Sequence, residues 1–199
     1  MKPLTHYVIG AACRQARAWR DEGLELAIAV NVSTRNLIDV EFPEDVRRAL
    51  EDAELEARFL QLEITEGTML EDPFRTKIVL EKLNALGVHL AIDDFGTGYS
   101  SLAYLKHLPV HEIKIDRSFV MKMDEDADGQ AIVRSAIHLG RDLGFTVTAE
   151  GVENEATWAL LETLGCDTAQ GYYLTRPIPA NDLTAWLHEN GATGSAPLS

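Results

Sequence analysis

Short apolar runs rich in Val, Ile and Leu alternate along the chain with longer segments whose apolar positions recur at helical spacing. The runs Leu26–Val32, Phe59–Thr65, His89–Asp93, Glu112–Asp116, Thr146–Glu150 and Ala169–Leu174 predict strands. The stretches Pro3–Glu22, Glu44–Ala53, Pro73–Leu86, Ser101–His107, Gly129–Leu143, Glu155–Leu164 and Asn181–Glu189 predict helices. A strand followed by a helix, repeated, predicts a parallel α/β sheet with right-handed crossovers. One domain is expected over residues 1–189, with a flexible Gly-, Ala- and Ser-rich tail at 190–199.

The ends of the strands narrow the fold. A doubly wound nucleotide-binding sheet carries a Gly-rich turn after its first strand, and Asn31–Arg35 contains no glycine. Instead Asn31, Glu63, Asp93, Lys114, Glu150 and Gln170 each sit near the C-terminal end of a run, where a TIM-type (β/α)8 barrel keeps its active site. A typical barrel has eight strands in about 250 residues. Six runs in 199 residues predict an incomplete barrel that begins inside the fold, its first two strands missing.

Composition removes several functions. The 32 acidic against 18 basic residues give a net charge of −14, which argues against a polymeric nucleic acid held by phosphate contacts. A small anionic ligand remains open, because bound divalent cations can invert the local field. No apolar run reaches the roughly 20 residues needed to cross a bilayer. Met1–His6 lacks the apolar core of a signal peptide, so no membrane contact is expected of this segment. Cys13 and Cys166 lie far apart with no metal-type spacing; they are expected as reduced core thiols in a cytoplasmic setting.

Asn31, Glu63, Asp93, Asp94 and Glu150 are hard oxygen donors at the ends of four strands, a set suited to Mg²⁺ or Mn²⁺. The adjacent pair Asp93-Asp94 permits two ions, which together stabilise the attacking and leaving oxygens of an in-line displacement at phosphorus. Lys114 would add positive charge or hold the attacking water. Any one of these carboxylates alone would read as a helix cap or a solvated loop charge. Their recurrence at the same end of successive strands favours the site.

The motifs Asn31-Val32-Ser33, Glu63-Ile64-Thr65-Glu66, Asp93 to Leu102 (DDFGTGYSSL), Lys114 to Val120 (KIDRSFV), Ala149 to Glu153 (AEGVE), Gln170-Gly171-Tyr172 and Arg176-Pro177 closely resemble the successive motifs of the EAL domain family of bacterial cyclic-di-GMP phosphodiesterases. The resemblance runs from about Pro3 to Leu187. It implies a barrel and Mg²⁺- or Mn²⁺-dependent opening of cyclic-di-GMP to linear pGpG. By that resemblance Asn31, Glu63, Asp93, Asp94 and Glu150 are metal ligands, and Lys114, Asp94 and Glu150 are catalytic. Gln170, Glu153 and Asp116 bind the ligand, and Glu66 anchors the Asp-Phe-Gly-Thr-Gly loop that couples metal binding to dimer contacts. The Glu-Ala-Leu segment itself is absent from the sequence. Its glutamate is a metal ligand in the family, so this chain alone is expected to hydrolyse weakly, with weak metal binding and a homodimer covering the open barrel edge.

Three readings stay open: a phosphodiesterase completed from elsewhere, an impaired domain that binds cyclic-di-GMP or a protein partner, and a fragment whose open edge drives association without a ligand. Two resemblances fail. Asp124–Gly129 fits half of a calcium loop, but its twelfth position is Ser135, and Asp128 is expected to cap the next helix. Asp94-Phe95-Gly96 has no kinase HRD segment beside it. The six histidines are expected at the surface or as satisfied side chains, and Trp19, Trp158 and Trp186 as helix-to-barrel packing.

Overall fold

The computed structural model describes residues 2–67, 72–98 and 102–190. Six parallel strands, β1 (Ile28–Val32), β2 (Leu60–Thr65), β3 (His89–Phe95), β4 (Glu112–Ile115), β5 (Thr146–Glu150) and β6 (Thr168–Gln170), form one sheet in the order of the sequence. The helices are α1 (Lys2–Asp21), α2 (Thr34–Leu37), α3 (Phe42–Asp52), α4 (Pro73–Ala85), α5 (Leu102–Leu105), α6 (Arg117–Val120), α7 (Ala127–Leu143), α8 (Glu155–Leu164) and α9 (Ala180–Asn190). Parallel strands in sequential order, joined by helical crossovers, make the α/β part-barrel that the pattern predicts.

Alternation along each strand divides the residues between two environments. Val30, Val32, Leu62, Ile64, Leu90, Ile92, Ile113, Ile115, Val147 and Ala149 belong to the buried core between sheet and helices. The intervening positions, Asn31, Glu63, Asp93, Lys114, Thr148 and Glu150 among them, fall on the opposite, inner face. Apart from the small Ala29 and Ala91, that face is largely polar, in contrast to the layers of branched apolar residues that usually fill such a barrel. The helix α7 lies so close to the sheet that a Cβ at Gly140 would fall 2.3 Å from Val147 Cγ2.

The sheet curls. Helix α1 precedes the first strand and α9 follows the last, yet the Trp19 indole N–H donates to Thr184 Oγ1 at 2.8 Å. Trp19, Leu24 and Leu187 form a small buried cluster between the two helices. Local signals set the helix ends: Asp72, Asp126 and Asn154 accept backbone N–H groups at the starts of α4, α7 and α8, and Gly144 and Gly165 end α7 and α8 in the left-handed conformation.

Several boundaries differ from the pattern's prediction. Ala169–Leu174 is not one strand: β6 stops at Gln170 because the chain turns at Gly171, where Val152 N–H donates to Gln170 O and Tyr173 N–H donates to Val152 O. A Cβ at Gly171 would lie 2.1 Å from Val152 O, so the two loops approach as closely as glycine allows. Asp126, not Asp128, caps α7, since its carboxylate accepts the Asp128 N–H at 3.0 Å. One-turn helices α2 and α6 escaped the pattern because four residues are too few to show a helical period. Of the expected tail at 190–199, Asn190 ends α9, while residues 191–199 and the predicted helix start at Ser101 lie outside the described residues.

Candidate active site at the C-terminal strand ends

Register brings the polar strand ends level. Asn31 pairs with Glu63 across β1 and β2, Thr65 with Asp93 across β2 and β3, and Glu150 with Gln170 across β5 and β6. At the centre stands Lys114, only 4% exposed. Its Nζ lies 2.6 Å from Glu63 Oε1, 2.5 Å from Glu150 Oε1 and 3.9 Å from Asp93 Oδ1. One amine thus ties β2 to β5, two strands that are not neighbours, and the curl of the sheet makes this reach possible.

Charge is concentrated here. Burial would pull the Lys114 amine down, but its hydrogen bonds to Glu150 and Glu63 outweigh burial and hold its pKa above the ordinary lysine value. Burial raises Glu150 despite Lys114, and the charges of Asp93 and Glu63 push the same way. Burial also raises Asp94, with Asp93 and Asp116 adding their repulsion. Asp116 is held low in spite of burial because the Ser118 hydroxyl and N–H donate to it. Asp116 therefore caps α6 while its carboxyl group meets that of Asp94.

The loop after β3 is held by its own backbone. Asp94 has a positive φ of 54°, beside a register shift between Ile92 and Phe95, which turns its side chain away from the strand's alternation. Gly96 follows at φ 101°. Glu66 Oε2 accepts the N–H groups of both Gly96 and Gly98 at 3.2 Å, and a Cβ at Gly98 would meet that carboxylate at 3.0 Å. Glu150, Glu153 and Gln170 line a cleft of about 250 Å³ with Arg117, Gly151 and Tyr172. Arg117 and Tyr172 stand within the motifs Lys114 to Val120 and Gln170-Gly171-Tyr172, but the sequence alone assigned neither a place in the site.

Glu63, Asp93, Lys114 and Glu150 are thus brought into one cluster, with Asp94 and Asp116 paired beside it. Asn31 stands next to Glu63 at the exposed edge, and Glu66 serves the loop. Among the described residues, no three His, Cys, Asp or Glu side chains close on a common ion position. The Lys114 ammonium stands among the carboxylates of Glu63, Glu150 and Asp93. The donor set is nevertheless the oxygen-only kind that hard divalent ions take.

The family model described as the EAL domain matches residues 1–177. The chain belongs to the EAL domain family. This EAL domain is 47% identical over 180 residues to the bifunctional diguanylate cyclase/cyclic di-GMP phosphodiesterase MucR of Pseudomonas aeruginosa, covering 90% of this chain and 26% of that protein. It spans about a quarter of the length of that relative. Among solved structures, the PaMucR phosphodiesterase in complex with c-di-GMP superposes with a TM-score of 0.88 at 46% identity, covering 91% of this chain and 74% of that one. Klebsiella pneumoniae BlrP1, described as a calcium/cy-diGMP complex, gives a TM-score of 0.79 at 30% identity, covering 87% of this chain and 44% of that one.

Proposed function

We propose that this EAL domain hydrolyses cyclic-di-GMP to linear pGpG with Mg²⁺ or Mn²⁺, the ions held by Asn31, Glu63, Asp93, Asp94 and Glu150. The observation that carries the reading is the convergence of Glu63, Asp93 and Glu150 on one buried lysine at the C-terminal strand ends. When bound, the divalent ions supply charge neutralisation at the phosphate and a water acidified for attack. Lys114, kept protonated by its partners, adds a fixed positive charge beside that phosphate. Glu66 holds the Gly96–Gly98 turn that follows Asp94 at the end of β3. The cleft lined by Glu153 and Gln170 receives the rest of the nucleotide, with Tyr172 supplying an aromatic face, and Asp116 binds the ligand from beside Asp94.

One observation favours a second reading. Because the Lys114 amine fills the centre of the carboxylate cluster, an impaired domain that binds cyclic-di-GMP without cutting it is the alternative. The test is conversion of cyclic-di-GMP to pGpG with Mn²⁺, using the chain and its Glu150→Gln variant side by side. Turnover that Glu150→Gln reduces by about two orders of magnitude or more supports hydrolysis, on the scale of losses at metal ligands and their supports. Equal background in both, with ligand retained, supports the binding module.

The proposal extends to self-association. Each outer strand, β1 and β6, presents one edge without a partner strand among the described residues, and Tyr172, Tyr173, Leu174 and Ile178 beside β6 are exposed. A homodimer is the expected state at micromolar concentration, checked by light scattering; a monomeric mass would contradict it. No helix of the described residues is long and apolar enough to cross a membrane. The buried thiols of Cys13 and Cys166, both pushed up to about 11 by burial, accord with a reducing, cytoplasmic setting.

A further inference from the structure

One layer below the Lys114 cluster, a chain of side chains crosses four strands on the inner face. His89 Nε2 of β3 meets Glu112 Oε2 of β4 at 3.3 Å. The Thr148 hydroxyl of β5 donates to Glu112 Oε1 at 2.6 Å. Thr168 Oγ1 of β6 lies 2.9 Å from Thr148 Oγ1. Since the Thr148 hydrogen points to Glu112, the Thr168 hydroxyl donates to Thr148, and every donor in the chain runs toward the one carboxylate. Glu112 and Thr148 are 8% and 6% exposed.

Each member lies on the same strand face as a residue of the site and nearer the N-terminal end of its strand. His89 lies four residues before Asp93, Glu112 two before Lys114, Thr148 two before Glu150, and Thr168 two before Gln170. Even spacing along a strand puts each pair on the same face. In most barrels interlocking apolar side chains set the width of the interior. Here most inner positions are polar and the apolar ones are alanines, so hydrogen bonds hold the spacing instead. Every acceptor lone pair left without its donor at this depth would carry a desolvation cost, which makes the chain resist a change of width.

We propose that His89, Glu112, Thr148 and Thr168 form a positioning layer that fixes the spacing of β3 to β6 beneath the site and thereby keeps Lys114 clasped between Glu63 and Glu150. The catalytic consequence rests on the hydrolytic reading above, whereas the geometric one does not. The carboxylate of Glu112 also lies on the same face as the Lys114 ammonium, so its negative charge holds the amine's strand end inward.

The test reads Lys114 without needing turnover. The whole chain is acetylated with acetic anhydride and each lysine is scored by mass spectrometry, with the exposed Lys77, Lys106 and Lys122 as references. In the unaltered chain Lys114 is protected. Glu112→Leu keeps volume but removes both acceptors, and is expected to raise Lys114 acetylation about tenfold relative to Lys122, the lower end of losses seen when supports of a site are removed. Glu112→Gln keeps an oxygen for Thr148 and should stay near the unaltered level. Thr148→Val, which cuts the chain at its middle with little change of shape, decides the matter if Glu112→Leu does not fold. Protection of Lys114 in folded Glu112→Leu and Thr148→Val would overturn the layer, as would a rise shared equally by all lysines, which marks general loosening. In parallel, Glu112→Leu should lower kcat for cyclic-di-GMP more than it raises KM, with Glu112→Gln restoring it. No turnover by the unaltered chain would overturn hydrolysis alone and leave the acetylation result to decide the layer.

Discussion

His111 shows how one residue, through its main chain and its ring, joins β3 to β5 beside the start of β4. Its N–H donates to Leu90 O at 2.9 Å, its carbonyl accepts from Thr146 N–H at 2.9 Å, and its Nδ1 accepts the Leu90 N–H at 3.1 Å. The ring stacks on His89 with centroids 4.8 Å apart. Burial, joined by the neighbouring His89, holds its pKa below the ordinary histidine value of 6.5. The unfolded chain therefore takes up a proton at this position as pH falls through about 6.5, while the folded chain does not. Stability that is fully present above that value is lost as pH falls toward the folded pKa. The urea midpoint should drop between pH 7.5 and 5.5, and less steeply in His111→Asn, whose side-chain oxygen still accepts from Leu90. Identical pH slopes for the two proteins would refute this.

Among the elements, α7 shows packing overriding propensity. Alanine in place of a glycine within a helix ordinarily gains about 1 kcal/mol. At Gly140 the added methyl would lie 2.3 Å from Val147 Cγ2 and 3.0 Å from Ile113 Cδ1, both in fully buried side chains of the sheet. Val147 is β-branched, with a restricted χ1, and fully buried, so it has little room to turn aside. Gly140→Ala is expected to cost about 1–3 kcal/mol net, the range for an overfilled core, as read by urea unfolding. A gain in stability would show that α7 can rise off the sheet at little cost.

At the scale of the whole molecule, the curl of the sheet brings α1 and α9 into contact. Trp19 is 5% exposed and is joined to Thr184 by its indole N–H. Trp19→Phe keeps most of the apolar volume and should cost about 1 kcal/mol for the lost hydrogen bond. Trp19→Ala empties the space between the helices and should cost about 3–5 kcal/mol. If the curl depends on this contact, Trp19→Ala also weakens ligand binding at the strand ends, and calorimetry with cyclic-di-GMP at a temperature where the variant remains folded would show it. Unchanged affinity would mean that the inner hydrogen bonds hold the curvature unaided.

The sequence by itself determined the repeating strand and helix order, the parallel sheet, and the placing of Asn31, Glu63, Asp93, Lys114, Glu150 and Gln170 at one end of it. These follow from period-2 and period-3.6 patterns, which are local and survive in a single chain. The motif from Asp93 to Leu102 and that from Lys114 to Val120 were equally legible, and the match over residues 1–177 bears out the family. What only the tertiary structure decided is which of those residues touch. That Lys114 takes Glu63 and Glu150 as partners, that Asp94 turns toward Asp116, and that α9 returns to α1 all depend on curvature, which no local pattern encodes. The layer of His89, Glu112, Thr148 and Thr168 was hidden for the same reason. Its members look like ordinary residues at strand starts, and they acquire a common role only when four strands bring them side by side.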